Sequence, residues 1–467
     1  MPLIIPANSA VSGGFNVDNS ARFNKASADN LIRTFGTATN RRKWTLSMWT
    51  KRSSTAQAML YSTSSASSYY QYQSGGQLEL NDVPGSTFNY RLVTNALYID
   101  LSAWYHIVIA FDSTQGTDSN RIKLYVNGEQ PSLATATYPS QNFEPRVNNA
   151  EAQKFGSYDG STDYSYDGYF SELTFIDGQQ LDPTSFGEFD EDSGIWKPIK
   201  ISGLTFGNNG FHLDFKDSSA LGNDAAGSNN FTVNNLTAID QSTDTCTNNF
   251  STFNSAQKAL ANTSFSEGNL VASTNSSAST QVPFATTIPV STGKWYAEFK
   301  MIAKSTSSGS IPYIGILGAA NFVSELNNAY FIGGANLDGV GYGTSGVVYS
   351  NGSELDSSEA TIANGDIVGI AADITNKKIY FSKNGTYINS QDPAAGSNGY
   401  TIPTTSQGFY IFAASLFGAS GSWGANFGSP PYAISSGNQD ADGFGNFEYA
   451  VPSGFFSLNT KNLAEYG

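Results

Sequence analysis

This chain of 467 residues contains one cysteine, Cys246, so no intrachain disulfide framework can hold it together. Two histidines, His106 and His212, and that one thiol cannot build an ordinary protein zinc site. They also restrict any serine–histidine or cysteine–histidine constellation to one of two imidazoles, and nothing near either suggests an activated nucleophile. No run approaches the ~18 apolar residues that a membrane-crossing helix needs. The opening MPLIIPANSAVSGG lacks a charged n-region and its apolar run is too short for a signal peptide, so a cleaved export signal is not expected. Charge is scarce: 13% of residues are charged, against roughly 25% in an average globular protein. The balance is −15 and neither half of the chain is basic, which argues against binding nucleic acid through its phosphates. The one local basic run, Arg41, Arg42, Lys43, Lys51 and Arg52, reads as solvated strand ends around Trp44–Trp49.

Aromatics, glycine and small polar residues fill the space that charge leaves. There are 31 Phe, 25 Tyr and 46 Gly. That mixture suits strands with one wet face, joined by tight turns, and it excludes disorder. A hairpin pattern occurs twice. In Trp104–Gln130 an apolar strand ends in Asp112, a polar turn follows, and Ile122, Leu124 and Val126 alternate with Lys123 and Tyr125 before Asn127-Gly128. In Asn364–Ile388 the same order runs through Asp373, Ile379 and Phe381, then Asn384-Gly385. Period-two alternation closed by Asn-Gly predicts antiparallel hairpins with one buried face. Length exceeds what one core serves. The division expected is an N-terminal arm at 1–20, a first sandwich at 21–216, an Asn/Ser-rich connector at 217–262 anchored by Phe231 and Phe250, and a second sandwich at 263–467. In the second block the aromatic tail from Gly443 should pack down.

The first block resembles laminin-G-like, or concanavalin A-like, jelly rolls through WTLSMWTKR (44–52), AWYHIVIAFD (103–112), RIKLYVNG (121–128) and YDGYFSELTFIDGQQLDP (166–183). The second is similar to SPRY domains through GKWYAEFK (293–300), YIGILG (313–318), GVGYGTSGVVYSNG (339–352), NGDIVGIAADITNKKIYFSKNG (364–385) and WGANFG (423–428). The fold class expected is therefore all-β, with two tandem antiparallel β-sandwiches. With the arm and the ending FEYAVPSGFFSLNTKNL, the combination resembles virion surface proteins of tailed bacteriophages, marine ones in particular. The resemblance implies a virion location and attachment or decoration: a tail fibre or receptor-binding component, with a capsid appendage as the alternative. Its implied partners are other virion proteins, host-surface polysaccharide or protein, and further copies of the chain in a symmetric homo-oligomer.

Catalysis has few candidates. A concanavalin A-fold glycoside hydrolase resembles E-x-D-x-x-E on one strand face, and the nearest match, Glu188-Phe189-Asp190-Glu191-Asp192-Ser193, ends in serine. Binding without catalysis is the stronger expectation. No cofactor is required; calcium is the one left open, since laminin-G-like domains often hold one at a sandwich rim. Asp112, Asp159, Asp163 and Asp167 are its candidate ligands, each of which could instead be making a turn. For glycan or protein recognition, Ser67–Tyr72 interleaves aromatic and polar residues, which singles out Tyr69, Tyr70 and Tyr72. Loops between strands of the SPRY-like block add Asn327, Tyr330, Tyr349, Asn351 and Trp423. His106, inside the strand YHIVIAF, reads as structural.

Overall fold

A computed structural model describes residues 14–467 apart from 65–66, 159–161, 257–262, 276–280, 306–308, 310, 319–330, 336 and 419. Among the described residues the chain is all-β but for short 3-10 turns and one helix, Thr460–Tyr466, and it forms two tandem β-sandwiches. The chain passes from one compact unit to the other between Thr247 and Asn248.

In the first unit, seven strands make one sheet and eight the other. The long strand Lys43–Arg52 lies between Trp104–Asp112 and Gly168–Asp177, all antiparallel. Alternation decides which side chains go inward: Trp44, Leu46 and Met48 meet Ile107, Ile109 and Phe111 in the core. The eight-stranded sheet runs Leu133–Thr137, Tyr90–Thr94, Leu78–Asp82, Ser68–Tyr72, Ala58–Thr63, Ala152–Phe155, Asn30–Thr34 and Thr232–Asn234. The hairpin pairs Ile109 with Leu124 and Phe111 with Ile122, which puts Ile122, Leu124 and Val126 in the core. Asn127 (φ 50°) and Gly128 (φ 82°) turn the chain back in the left-handed region. A Cβ on Gly128 would sit 2.4 Å from the Trp196 ring, so only glycine fits there.

Of the expected connector, residues 217–256 are described, and they pack into the two units. Leu221, Phe231 and Leu236 belong to the first core. Thr232–Asn234 pairs with Asn30–Thr34, and Gln241–Ser242 with Ser20–Ala21, so these short strands close two sheet edges. Past the division, Phe250 and Phe253 are buried in the second unit. Of the arm, residues 14–20 are described: Val17 is buried and its N–H donates to Thr247 at 3.0 Å. Residues 1–13 lie outside the described set.

The second unit packs a nine-stranded sheet on a six-stranded one. Ile370 and Ala372 pair with Phe381 and Ile379 in the second hairpin, facing a core that also holds Trp295, Phe299, Phe412 and Trp423. Asn384 (φ 48°) and Gly385 (φ 80°) repeat the turn of the first unit. The aromatic tail folds over the outer face of the larger sheet, where Phe447 and Phe455 cluster with Tyr296, Ala371 and Tyr380. Glu298 holds that tail. Its carboxylate accepts from the backbone N–H groups of Glu448 (3.0 Å) and Tyr449 (2.8 Å), from Tyr296 and from Asn426.

Candidate functional site

The strand Ser68–Tyr72 sends its tyrosines to opposite sides, because side chains alternate across a sheet. Tyr70 and Tyr72 point inward, a correction to their expected place on a binding surface. They face Leu78 and Leu80 on the neighbouring strand, and both are fully buried in the core. Their polar ends are satisfied there: the Tyr70 hydroxyl lies 3.0 Å from that of Tyr90, and Tyr72 lies 2.8 Å from Thr50 Oγ1. Burial pushes both phenols above their ordinary range.

Tyr69 and Gln71 take the outer face. Cross-strand register sets Ser62, Tyr69, Asn81 and Arg91 in one row, and Met59, Gln71, Glu79 and Val93 in the next. Strands lie ~4.8 Å apart, so Tyr69 and Arg91, two strands apart, stand roughly 10 Å from each other. The second row is welded by charge-assisted hydrogen bonds. Gln57 donates to Gln71 at 2.7 Å, and Gln71 donates to Glu79 at 2.6 Å. Gln73 and Arg91 Nε donate to the same carboxylate at 2.8 and 2.7 Å. Burial alone would raise the pKa of Glu79, but the donors from Gln73, Arg91 and Gln71 outweigh it and hold the carboxyl below its ordinary value. A fixed anion thus orients the amides and the guanidinium around it.

Among the described residues Arg91 donates a hydrogen bond through Nε alone. Its side chain is 33% exposed and its planar end lies 5.0 Å from the exposed Phe88 ring. Asn81, wholly buried below the first row, has its carboxamide against the Tyr69 hydroxyl and makes no hydrogen bond of regular geometry with the protein. Beside Tyr69 the aromatic row continues: Tyr158 meets it edge-on at 5.7 Å, and Tyr164, 41% exposed, meets Tyr158 at 6.0 Å. Three rings, an amide, a guanidinium and a rigid polar floor therefore share one sheet face. Flat rings offer apolar area to the C–H faces of a sugar, and the fork of Arg91 can bond its hydroxyls. Sequence reasoning reached Tyr69 but missed Tyr158, Tyr164, Glu79, Asn81 and Arg91. The strand LELND already showed the alternation that sends Glu79 and Asn81 outward.

The other expected residues disperse. Trp423 is fully buried in the second core, where its indole N–H donates to Ser415 O at 3.2 Å; this corrects its expected loop position. Its strand, Ser422–Asn426, is paired on both sides, which explains the burial. Tyr349 is half-buried against Tyr313 and Phe331, and Asn351 (φ 47°) is exposed and makes a tight turn with Gly352. Asn327, Tyr330 and Asp159 lie outside the described residues. Asp112 accepts from the backbone and hydroxyl of Thr114, from Gln115 and from Lys43, so its oxygens are occupied. Asp163 is exposed, and the Asp167 carbonyl accepts from Ser53 N. Asp112 pairs with the start of Lys43–Arg52 and Asp167 lies past its end, roughly 30 Å away by strand rise. These aspartates do not assemble a calcium cage, and among the described residues no other group of three acidic, histidine or cysteine side chains does.

Nor do the acidic residues at 188–192 form a hydrolytic pair. Glu188 is exposed and bridges Lys197 at 3.3 Å. Asp190 caps a turn, and hydrogen bonds from the Ser193 backbone, the Ser193 hydroxyl and Lys197 hold it at about 2, so it stays ionised. His106 is stacked between Trp49 and Trp196. The Trp196 indole can only donate, so Nδ1 accepts at 2.9 Å and Nε2–H faces Ser47 Oγ at 2.8 Å. Burial pushes it down to about 3, and it is a neutral structural imidazole.

Residues 25–181 match the concanavalin A-like lectin/glucanases superfamily. The match covers the strands of the row just described. No curated protein matches the chain. Among solved structures, a human SPRY domain is 15% identical, with a TM-score of 0.26, covering 36% of this chain and 94% of that one. The mouse laminin α1 chain domains LG4-5 are 11% identical, with a TM-score of 0.29, covering 90% and 92%. The SPRY domain of human HERC1 is 13% identical, with a TM-score of 0.25, covering 33% and 87%.

Proposed function

We propose that this chain is a non-enzymatic attachment protein on the surface of a tailed bacteriophage, a tail fibre or other receptor-binding component, and that its first sandwich binds host-surface glycan. The observation that carries the glycan reading is the outer sheet face, where Tyr69, Tyr158 and Tyr164 stand beside Asn81 and Arg91 above the Glu79 network. The lectin-like match over the same residues supports it. The phage setting rests on the resemblance of the paired blocks and of the two chain ends. In this reading the protein is made in the host cytoplasm and sits on the virion. It assembles as a homo-oligomer, so that several weak sites act together. Its other partners are virion proteins.

A second reading, a capsid decoration or connector protein, is favoured by the opening MPLIIPANSAV, which is uncharged, holds two prolines and suits an extended strand added to a partner. Binding of the purified protein to a panel of bacterial surface polysaccharides, with and without EDTA, separates the two. Saturable binding to a particular polysaccharide, unaffected by EDTA, is expected. Absence of binding by the assembled protein favours decoration. Loss with EDTA would restore calcium, and release of reducing sugar would restore the hydrolase.

A further inference from the structure

The eight-stranded sheet of the first unit ends on Leu133–Thr137, which pairs with Tyr90–Thr94 and, along its other side, hydrogen-bonds no described residue. Such an edge presents a row of free N–H and C=O groups, and proteins ordinarily guard it with charge, proline, shortness or cover. Other edges of this unit are guarded. Thr232–Asn234 and Gln241–Ser242 are three and two residues long. Ile122–Val126 carries Lys123 and turns back through a bridge between Val126 and Glu129. Leu133–Thr137 is five residues long and reads LATAT, with Ala134, Ala136 and Thr137 exposed.

Charge selects the occupant. In a chain of net charge −15, two copies repel wherever acidic surfaces meet, yet residues 130–143 contain no charged side chain. Pro131 and Pro139 bracket the strand and confine pairing to it. The register shift against Tyr90–Thr94 falls between Leu133 and Thr135, which leaves Thr135–Thr137 regular. Those three residues are self-complementary. About a two-fold axis at Ala136, each Ala136 faces the same residue of the other copy, and Thr135 faces Thr137, a stabilising cross-strand pair. Beside the strand a cavity of about 150 Å³ opens between the two sheet edges, lined in part by Leu92, Ile122, Leu124, Leu133 and Tyr138. A strand added here covers that apolar rim.

We propose that the chain dimerises through this edge, the Leu133–Thr137 strands of two copies pairing antiparallel to make one continuous sheet. The proposal rests on the homo-oligomer reading above and names its interface. Each edge is used once, so the contact closes at two copies and builds no filament. Thr137 pairs with Arg91 and so continues the row of Tyr69 on the outer face. The dimer therefore carries both Tyr69 faces on one side of one sheet, about seven strand spacings or roughly 34 Å apart, where one polysaccharide can engage both.

The test measures the mass of the full chain in solution by light scattering, as the parent, as Ala136→Asp and as Ala136→Lys. Because Ala136 is exposed, both variants should fold, and their melting curves check this. The parent should have twice the mass of one chain. Each variant should have half the parent's mass, since like charges then face each other across the axis. An equimolar mixture of the two variants, in which a carboxylate meets an ammonium, should restore the parent's mass. A monomeric parent would overturn the proposal together with the homo-oligomer reading. An assembled parent whose folded variants stay assembled, or a mixture that stays apart, would overturn this interface alone.

Discussion

Tyr69 and Tyr70 are adjacent in sequence, yet one faces solvent beside Tyr158 and the other is sealed against Tyr90. Period-two geometry makes this division unavoidable; which ring goes inward depends on what the neighbouring strands bury. The two substitutions should separate cleanly. Tyr70→Ala opens a hole in the first core and should cost about 3–5 kcal/mol in denaturant unfolding. Trp423→Ala should do the same to the second core. Tyr69→Ala, on a half-buried outer position, should leave stability within about 1 kcal/mol and act on binding instead.

At the scale of elements, Glu298 ties the tail to its sheet. Burial pushes this carboxyl up to about 7 despite the donors around it. The folded unit therefore keeps a proton that the unfolded chain releases near its ordinary value. Stability is fully present below about 4.5 and is lost as pH rises to about 7, by at most about 3 kcal/mol. Glu298→Gln should flatten that slope in a series of unfolding titrations; an unchanged slope would place it elsewhere. The hairpins and the packed aromatic tail were legible in the sequence, because alternation and Asn-Gly act locally. The short strands Thr232–Asn234 and Gln241–Ser242 were not. Two or three residues in an Asn/Ser-rich stretch carry no readable period, and only the open sheet edges beside them dictate their pairing. The binding row was half legible for a related reason. Tyr69 announces itself by composition, whereas Glu79, Asn81 and Arg91 join it only through a register that no single strand encodes.

At the scale of the whole molecule, each unit has its own two large sheets and its own core. A chain ending at Thr247 should therefore fold alone, with a cooperative transition of its own, and keep the polysaccharide binding assigned to the first sandwich. Failure to fold would show that the second unit is needed to complete the first. The acidic balance of −15 discourages nonspecific adhesion to nucleic acid. The central claim is that the outer face of the eight-stranded sheet binds glycan. Its most direct test is calorimetric titration of a bound bacterial polysaccharide into the full chain and into the Tyr69→Ala, Arg91→Ala double variant. The account predicts that the variant still folds cooperatively, melting lower because buried Glu79 loses its guanidinium partner, and loses affinity by about a hundredfold, roughly 3 kcal/mol. An equally folded variant that binds as tightly as the parent would contradict it.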